Sequence, residues 1–109
     1  IYPVYNAFFM KDKISTKGLL NSFFGIINDG MRFIPEFKVK EDYEFCCRSY
    51  KKNGSIVRID NVACNAIHHS KGGCETVWHT NDEMCNILMQ KHGDILKLNP
   101  RRKGEVLFK

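Results

Sequence analysis

The stretch Lys40-Glu-Asp-Tyr-Glu-Phe-Cys-Cys-Arg-Ser-Tyr-Lys-Lys-Asn-Gly54 contains the clearest secondary-structure signal in this chain. Its apolar and aromatic side chains recur on one face at helical spacing. Glu44 and Arg48 lie four residues apart, a separation at which opposite charges support a helix. Asn53-Gly54 is a typical helix end. The pattern predicts a helix over residues 40–53.

Weaker patterns on both sides of this helix indicate further short elements. They are a strand in residues 1–10, a capped short helix over 15–24 that ends at Gly25, a loop over 25–35, one or two strands within 55–67, a loop over 68–73, a second helix from Thr80 or Asn81 to about His92, and strands near 95–98 and 105–108. The order of these elements predicts an α/β fold with mixed α and β structure.

Length and composition limit the class of protein. The chain has 109 residues, of which 43% are hydrophobic and 27% are charged. These values are typical of a single globular domain or a fragment of one, and they exclude a disordered tail or a fibre. No apolar run approaches the ~20 residues that cross a bilayer, so no membrane span is expected. Because residue 1 is isoleucine, we interpret the sequence as a piece cut from a longer chain.

Positive charge is concentrated at the end of the sequence. The formal net charge is +5, and residues 97–109 hold five basic side chains against one acidic one. Such a segment is suited to a partner that carries phosphate, such as a nucleotide, a nucleic acid or an anionic lipid surface. The alternative is a solvated basic tail.

Cysteine usage indicates the redox environment. The five cysteines are an odd number, and Cys46 and Cys47 are adjacent. This is unlike a disulfide framework and predicts free thiols in the cytoplasm.

Two groups of residues are candidates for chemistry. Glu41 and Asp42 fall at the start of the predicted helix, where a carboxylate could act as a base or hold a substrate hydroxyl. Alternatively, they only complement the helix dipole. His68 and His69 follow an apolar strand, where a neutral imidazole is a good metal ligand. Alternatively, they bond to the backbone.

A structural zinc site is a further hypothesis, because several thiol and imidazole side chains occur between residues 46 and 79. Structural zinc sites usually pair their ligands two to four residues apart, and no C-x2-C pair occurs here. Zinc is therefore the weakest of the hypotheses.

Three motifs in a fixed order resemble the second half of a GT-A-type glycosyltransferase. They are the glycine loop 25–30, the Lys40-Glu-Asp-Tyr-Glu-Phe45 helix start and His68-His69-Ser-Lys-Gly-Gly73. With the basic segment Arg101-Arg102-Lys103, the pattern is similar to the phage sugar transferases associated with TET/JBP-type dioxygenases. The resemblance implies a partial GT-A-like domain, with a mixed sheet and flanking helices, over residues 1–109. This part would be the acceptor and metal side.

The resemblance also implies roles for individual residues. Asp42, with Glu41 beside it, would be the catalytic base or acceptor contact, and His68 or His69 would bind Mn²⁺ or Mg²⁺. The donor would be a nucleotide sugar, such as a UDP-sugar, and the acceptor hydroxymethylated pyrimidines in DNA. The remaining substrate contacts would come from Gly25, Asn28, Asp29 and Gly30 on the sugar side, and from Arg101, Arg102 and Lys103 on the phosphate side.

One motif of the GT-A family is missing from this sequence. No Asp-x-Asp occurs, and the nearest segment is Lys11-Asp12-Lys13. We therefore expect the donor-binding half to lie upstream of Ile1. The competing hypothesis from another class is a small basic module that binds nucleic acid or protein without catalysis.

Overall fold

The computed structural model describes residues 11–20, 23–64 and 76–109. They form two helices and two small antiparallel sheets, which confirms the mixed α/β class. In chain order the elements are β1 (Ile14–Ser15), α1 (Glu41–Asn53), β2 (Arg58–Ile59), α2 (Asn81–His92), β3 (Leu96–Leu98) and β4 (Val106–Phe108), and one 3-10 turn (Trp78–Thr80) leads into α2. Neither helix in these residues is long and apolar enough to cross a membrane.

Helix α1 confirms the strongest sequence prediction. It ends where Gly54 takes a left-handed conformation, with φ of 76°, and donates its backbone N–H to the Tyr50 carbonyl at 2.7 Å. Its start is unusual, because Lys40 precedes it with φ of 62° and no side chain caps the first turn. Lys40 is the one non-glycine residue with positive φ in the described part of the chain.

The prediction of a helix over residues 15–24 is wrong for the part of that segment that the structure describes. Ser15 lies in β1, where Ile14 and Ser15 pair with Ile59 and Arg58 of β2. The Ile56 N–H also donates to the Thr16 carbonyl at 3.0 Å. These backbone groups bond to a distant segment, so tertiary pairing overrides the local helix signal.

Strands β3 and β4 form a separate hairpin, with Lys97 opposite Leu107. Both strands and the second helix confirm their sequence predictions. Among the described residues the two ladders are not joined, so the single mixed sheet implied by the resemblance is not seen there. The predicted strand at 1–10 and loop at 68–73 lie outside the described residues.

The core lies where α1, α2 and the β3–β4 hairpin meet. Leu88, Leu96 and Cys47 are fully buried at its centre. Burial raises the pKa of the Cys46 thiol to about 11 and that of Cys47 to about 12, so both remain neutral thiols. These two cysteines are packing residues, and the four described cysteines are all free.

Gly104 fixes the approach of the β3–β4 turn to α2. Its φ is +70°, and its carbonyl accepts a hydrogen bond of 3.0 Å from the buried Asn81 side chain. A Cβ atom at this position would collide with the side chains of Asn81 and Asp82. Only glycine meets both requirements without strain.

We therefore predict that Gly104→Ala lowers the free energy of unfolding by about 1–3 kcal/mol, from the backbone penalty plus the collision. The control is Gly30→Ala, because Gly30 also has positive φ but nothing within 4 Å of the added methyl group. Its cost should be the backbone penalty alone, about 1–2 kcal/mol, and therefore smaller than the loss for Gly104→Ala. Urea denaturation measures both, and equal losses would contradict the close approach.

Candidate functional site

A cavity of about 480 Å³ lies beside the first turn of α1 and contains Asp42 together with Gly25 and Asp29. We call it the Asp42 pocket. The structure thus brings together three residues that the sequence assigned to one site. Much of the remaining wall is apolar and comes from Leu20, Phe24, Ile26, Phe45, Ile56 and Val57.

The glycine loop and the residues just after it are held against α1 by contacts spaced along the helix. The Asp29 carboxylate forms an ion pair with the Lys52 ammonium at 2.6 Å. The Arg48 guanidinium donates a hydrogen bond to the Arg32 carbonyl at 2.7 Å. The rings of Phe33 and Phe45 lie 4.8 Å apart between centroids. Because Arg48 and Lys52 are four residues apart, they form one edge of the helix along which the loop is docked.

Asp42 is half-buried in the second position of α1. Its Oδ1 accepts the backbone N–H of Tyr43 at 2.8 Å. Burial against the apolar wall raises the pKa of Asp42 from 3.8 to about 6, and the neighbouring charge of Glu41 acts in the same direction. The Tyr43 hydrogen bond and Lys40 oppose this shift only in part. Asp42 therefore takes up a proton as the pH falls through about 6.

Asp29 differs from Asp42 although it lines the same pocket. It is exposed, and the hydrogen bond from Lys52 lowers its pKa below the usual value. Asp29 therefore stays charged over the range in which Asp42 titrates. Two carboxylates with separated pKa values can take different roles at one site.

The other residues predicted near this site do not line the pocket. Glu41 is half-buried as the first residue of α1 and acts through its charge on Asp42. Asn28 Oδ1 accepts the Gly30 N–H and a guanidinium N–H of Arg32, both at 3.4 Å. Asn28 and Gly30 therefore shape the loop.

The basic triplet 101–103 lies elsewhere, in the turn between β3 and β4. Its three side chains separate: Lys103 pairs with Asp82 at 3.3 Å, and Arg102 lines a second cavity of about 450 Å³. We call this second cavity the basic pocket; its cationic lining residues are Lys17, Arg58, Lys97 and Arg102. Arg101 lines neither cavity. The three side chains are therefore not gathered at one cavity.

The predicted metal ligands His68 and His69 lie outside the described residues, so their assignment stays a prediction. Within residues 11–20, 23–64 and 76–109, no group of three His, Cys, Asp or Glu side chains is placed to hold a metal ion.

Comparison of the chain with protein-family models, curated proteins and solved structures finds no significant match. The functional interpretation therefore rests on the motifs and on the geometry of the two pockets.

Sequence reasoning missed the contribution of Lys17 and Arg58 to a site. Lys17 precedes α1, whereas Arg58 follows it in β2, and both reach the same cavity as Lys97 and Arg102. The register in which Ser15 pairs with Arg58 brings these segments together. No local pattern reports such pairing, because it joins residues more than 40 positions apart.

We predict that Asp42→Asn stabilises the fold at neutral pH. The folded-state pKa of about 6 exceeds the ordinary 3.8, so the folded protein binds this proton more tightly than the unfolded chain. Wild-type stability from this group is complete below 3.8 and is lost as the pH rises through about 6. The amide avoids this loss, so the gain should be on the order of 1–3 kcal/mol above about pH 7 and should vanish at acid pH.

The matched control is Asp82→Asn, because Asp82 holds the same second position in α2 but is exposed and paired with Lys103. We expect it to cost a few tenths of a kcal/mol, roughly the value of an exposed pair or dipole contact. Urea denaturation at several pH values measures both variants. A pH-independent loss for Asp42→Asn would contradict the buried carboxylate.

Proposed function

We propose that this chain is the acceptor-side part of a glycosyltransferase that takes its sugar from a nucleotide-sugar donor. The single observation that carries the proposal is the Asp42 pocket, in which a carboxylate with a pKa of about 6 faces a cavity also lined by Gly25 and Asp29. A mostly apolar cavity with a few polar groups is typical of small-molecule sites. These features support a GT-A-like site and agree with the order of the motifs.

In the proposed reaction Asp42 is the general base. Its carboxylate accepts the proton of an acceptor hydroxyl while that oxygen bonds to the anomeric carbon of the sugar. The bond from the anomeric carbon to the diphosphate breaks, and the nucleotide diphosphate leaves with the electron pair. A base works best when its pKa lies near the working pH, which the burial of Asp42 provides.

Asp29 and Glu41 have supporting roles in this mechanism. Asp29 remains charged beside Lys52 and offers fixed acceptor oxygens to sugar hydroxyls at the pocket edge. Glu41 raises the pKa of Asp42 through its negative charge. The loop at 25–30 gives little side-chain bulk at Gly25, so a sugar ring could approach the backbone there.

A divalent cation, Mn²⁺ or Mg²⁺, belongs to the proposal through His68 or His69. When bound, such an ion would neutralise charge on the departing diphosphate. The donor half and a modified pyrimidine acceptor in DNA are also parts of the proposal.

A second candidate function is a basic module that binds nucleic acid without catalysis. It is favoured by the basic pocket, where Lys97 and Arg102 of the terminal segment lie together. The two candidates differ in what Asp42 does, since a binding module has no use for a titrating carboxylate.

We predict that Asp42→Asn in the full-length protein lowers sugar transfer by about 10²-fold or more, although the variant is no less stable than wild type. Transfer from a panel of UDP-sugars to DNA containing 5-hydroxymethylpyrimidines measures the activity. Wild-type activity should rise with pH through about 6 as Asp42 loses its proton.

Glu41→Gln is the companion variant for this test. Removing the Glu41 charge should move the rising limb of the pH profile to lower pH and leave the plateau nearly unchanged. Asp82→Asn serves as the control for the loss of one carboxylate at a helix start. Unchanged transfer by Asp42→Asn would contradict the glycosyltransferase proposal, and salt-sensitive DNA binding without transfer would favour the binding module.

A further inference from the structure

We propose that the basic pocket is a binding site for a phosphate group, formed by Lys17, Arg58, Lys97 and Arg102. The inference does not depend on the glycosyltransferase proposal, because it concerns a different cavity and a different set of residues. The ligand chemistry is a phosphate ester or diphosphate, carried either by a small molecule or by a nucleic-acid backbone.

Four separate segments of the chain supply the cations of this pocket. Lys17 follows β1, Arg58 lies in β2, Lys97 lies in β3 and Arg102 lies in the turn before β4. Like charges that converge on one cavity repel each other, and a bound anion would relieve that repulsion. Convergence from four segments is therefore the observation that points to an anionic ligand.

The carboxylates near this pocket offset its positive charge only in part, chiefly through the ion pair of Asp60 with Arg58. Asp60 is fully buried and accepts hydrogen bonds from Arg58 and the Ser15 hydroxyl, which lower its pKa although burial opposes them. Glu105 lines the pocket and pairs with the buried Lys40 at 3.3 Å. Across the part of the chain that the structure describes, no carboxylate forms an ion pair with Lys17, Lys97 or Arg102.

The arrangement also orients specific donors. Arg58 is held by the Asp60 carboxylate at 2.5 Å, so its guanidinium is fixed at the pocket wall. Asn99 accepts the backbone N–H of Arg101 at 2.9 Å and orders the turn that carries Arg102. Donors fixed in place lose less conformational entropy when they bind an anion.

The size and walls of the pocket suit a ligand larger than phosphate alone. Its volume of about 450 Å³ lies within the range of small-molecule sites. Beside the cations it has apolar and aromatic walls from Leu19, Tyr43, Val106 and Phe108. An organic group attached to the phosphate could pack there.

This pocket differs from a general basic tail in a testable way. Lys97 and Arg102 line the cavity, whereas Arg101 does not and Lys103 is turned toward Asp82. All four belong to the same terminal segment. Lys17 is far away in sequence but lines the same cavity. Anion binding by a basic tail would depend on the total charge, wherever it lies in the segment. Anion binding by the pocket would depend on Lys17, Lys97 and Arg102.

The experiment compares two double variants that remove the same charge. Lys97→Gln/Arg102→Gln empties the pocket of two cations, and Arg101→Gln/Lys103→Gln is the matched control. The probes are inorganic pyrophosphate, UDP and a single-stranded DNA oligonucleotide, titrated by calorimetry against the full-length protein at two salt concentrations. Thermal melting checks that each variant is folded.

We expect the pocket pair to weaken binding by about 100-fold and Lys17→Gln alone by about tenfold, since each lost charge-assisted bond is worth roughly a factor of ten. The control pair should weaken binding less than about twofold, because exposed charges contribute little. Position-specific loss with pyrophosphate or UDP identifies a small phosphorylated ligand as the source. The same loss with DNA alone identifies a nucleic-acid backbone as the source.

Three results would overturn the proposal. They are equal losses in the two double variants, no effect of Lys17→Gln, and no binding of any of the three probes by the wild-type protein. The first result would show that a diffuse basic tail, rather than a pocket, binds the anion.

Discussion

The structure depends on the buried carboxylate of Glu44, which is only 1% exposed and lies on α1. A buried charge must have a countercharge, and the Nε of Arg48 supplies one at 2.8 Å from both carboxylate oxygens. The same guanidinium donates to the carbonyl of Arg32, two residues after the glycine loop. On the other side, His92 at the end of α2 places its Nε2 3.5 Å from Glu44 Oε1. Glu44 thus links α1 to Arg32 through Arg48 and lies against His92 of α2. Burial lowers the pKa of His92, which favours the neutral imidazole, so the contact of Glu44 with His92 is one of packing rather than an ion pair.

This connection explains how one helix supports two cavities. Glu44 lies in the first turn of α1 and is held by Arg48. Neighbouring side chains of the same turn face different surroundings. Asp42 lines one pocket and Tyr43 lines the other, because successive residues point in directions about 100° apart around a helix. The wall around Asp42 is mostly apolar, whereas Tyr43 lies among cationic side chains, so the two pockets suit different chemical groups. Each can therefore bind a different part of a ligand or a different ligand.

The sequence predicted the parts of the fold that local patterns control. Helix α1, helix α2 and the β3–β4 hairpin have clear periodicity and clear end signals at Gly54, Gly93 and Asn99. The segment from Ser15 was misread because its backbone bonds to residues 56–60, a distant pairing that no local pattern records. The candidate site residues also fall into those that local motifs indicate and those that only tertiary pairing brings together. Asp42 and the glycine loop could be named from motifs, whereas the basic pocket could not, since it needs the pairing of β1 with β2. The separation of Arg102 from Lys103 also needed the structure, which shows that Lys103 pairs with Asp82.

Two local costs coincide at the start of α1. Lys40 adopts a left-handed backbone that is unfavourable for a residue with a Cβ atom, and Asp42 sits where its charge is poorly solvated. The strain at Lys40 has a structural compensation, since its ammonium pairs with Glu105 at 3.3 Å. This ion pair links the residue before α1 to the residue before β4, beside the basic pocket. Among the described contacts nothing comparable compensates for the burial of Asp42, because its one side-chain hydrogen bond comes from the N–H of the next residue, Tyr43. A cost without structural compensation, at a group that faces a cavity, is the pattern expected of a functional residue. That contrast between two neighbouring residues is the strongest reason to place chemistry at Asp42 and to assign Lys40 to the architecture.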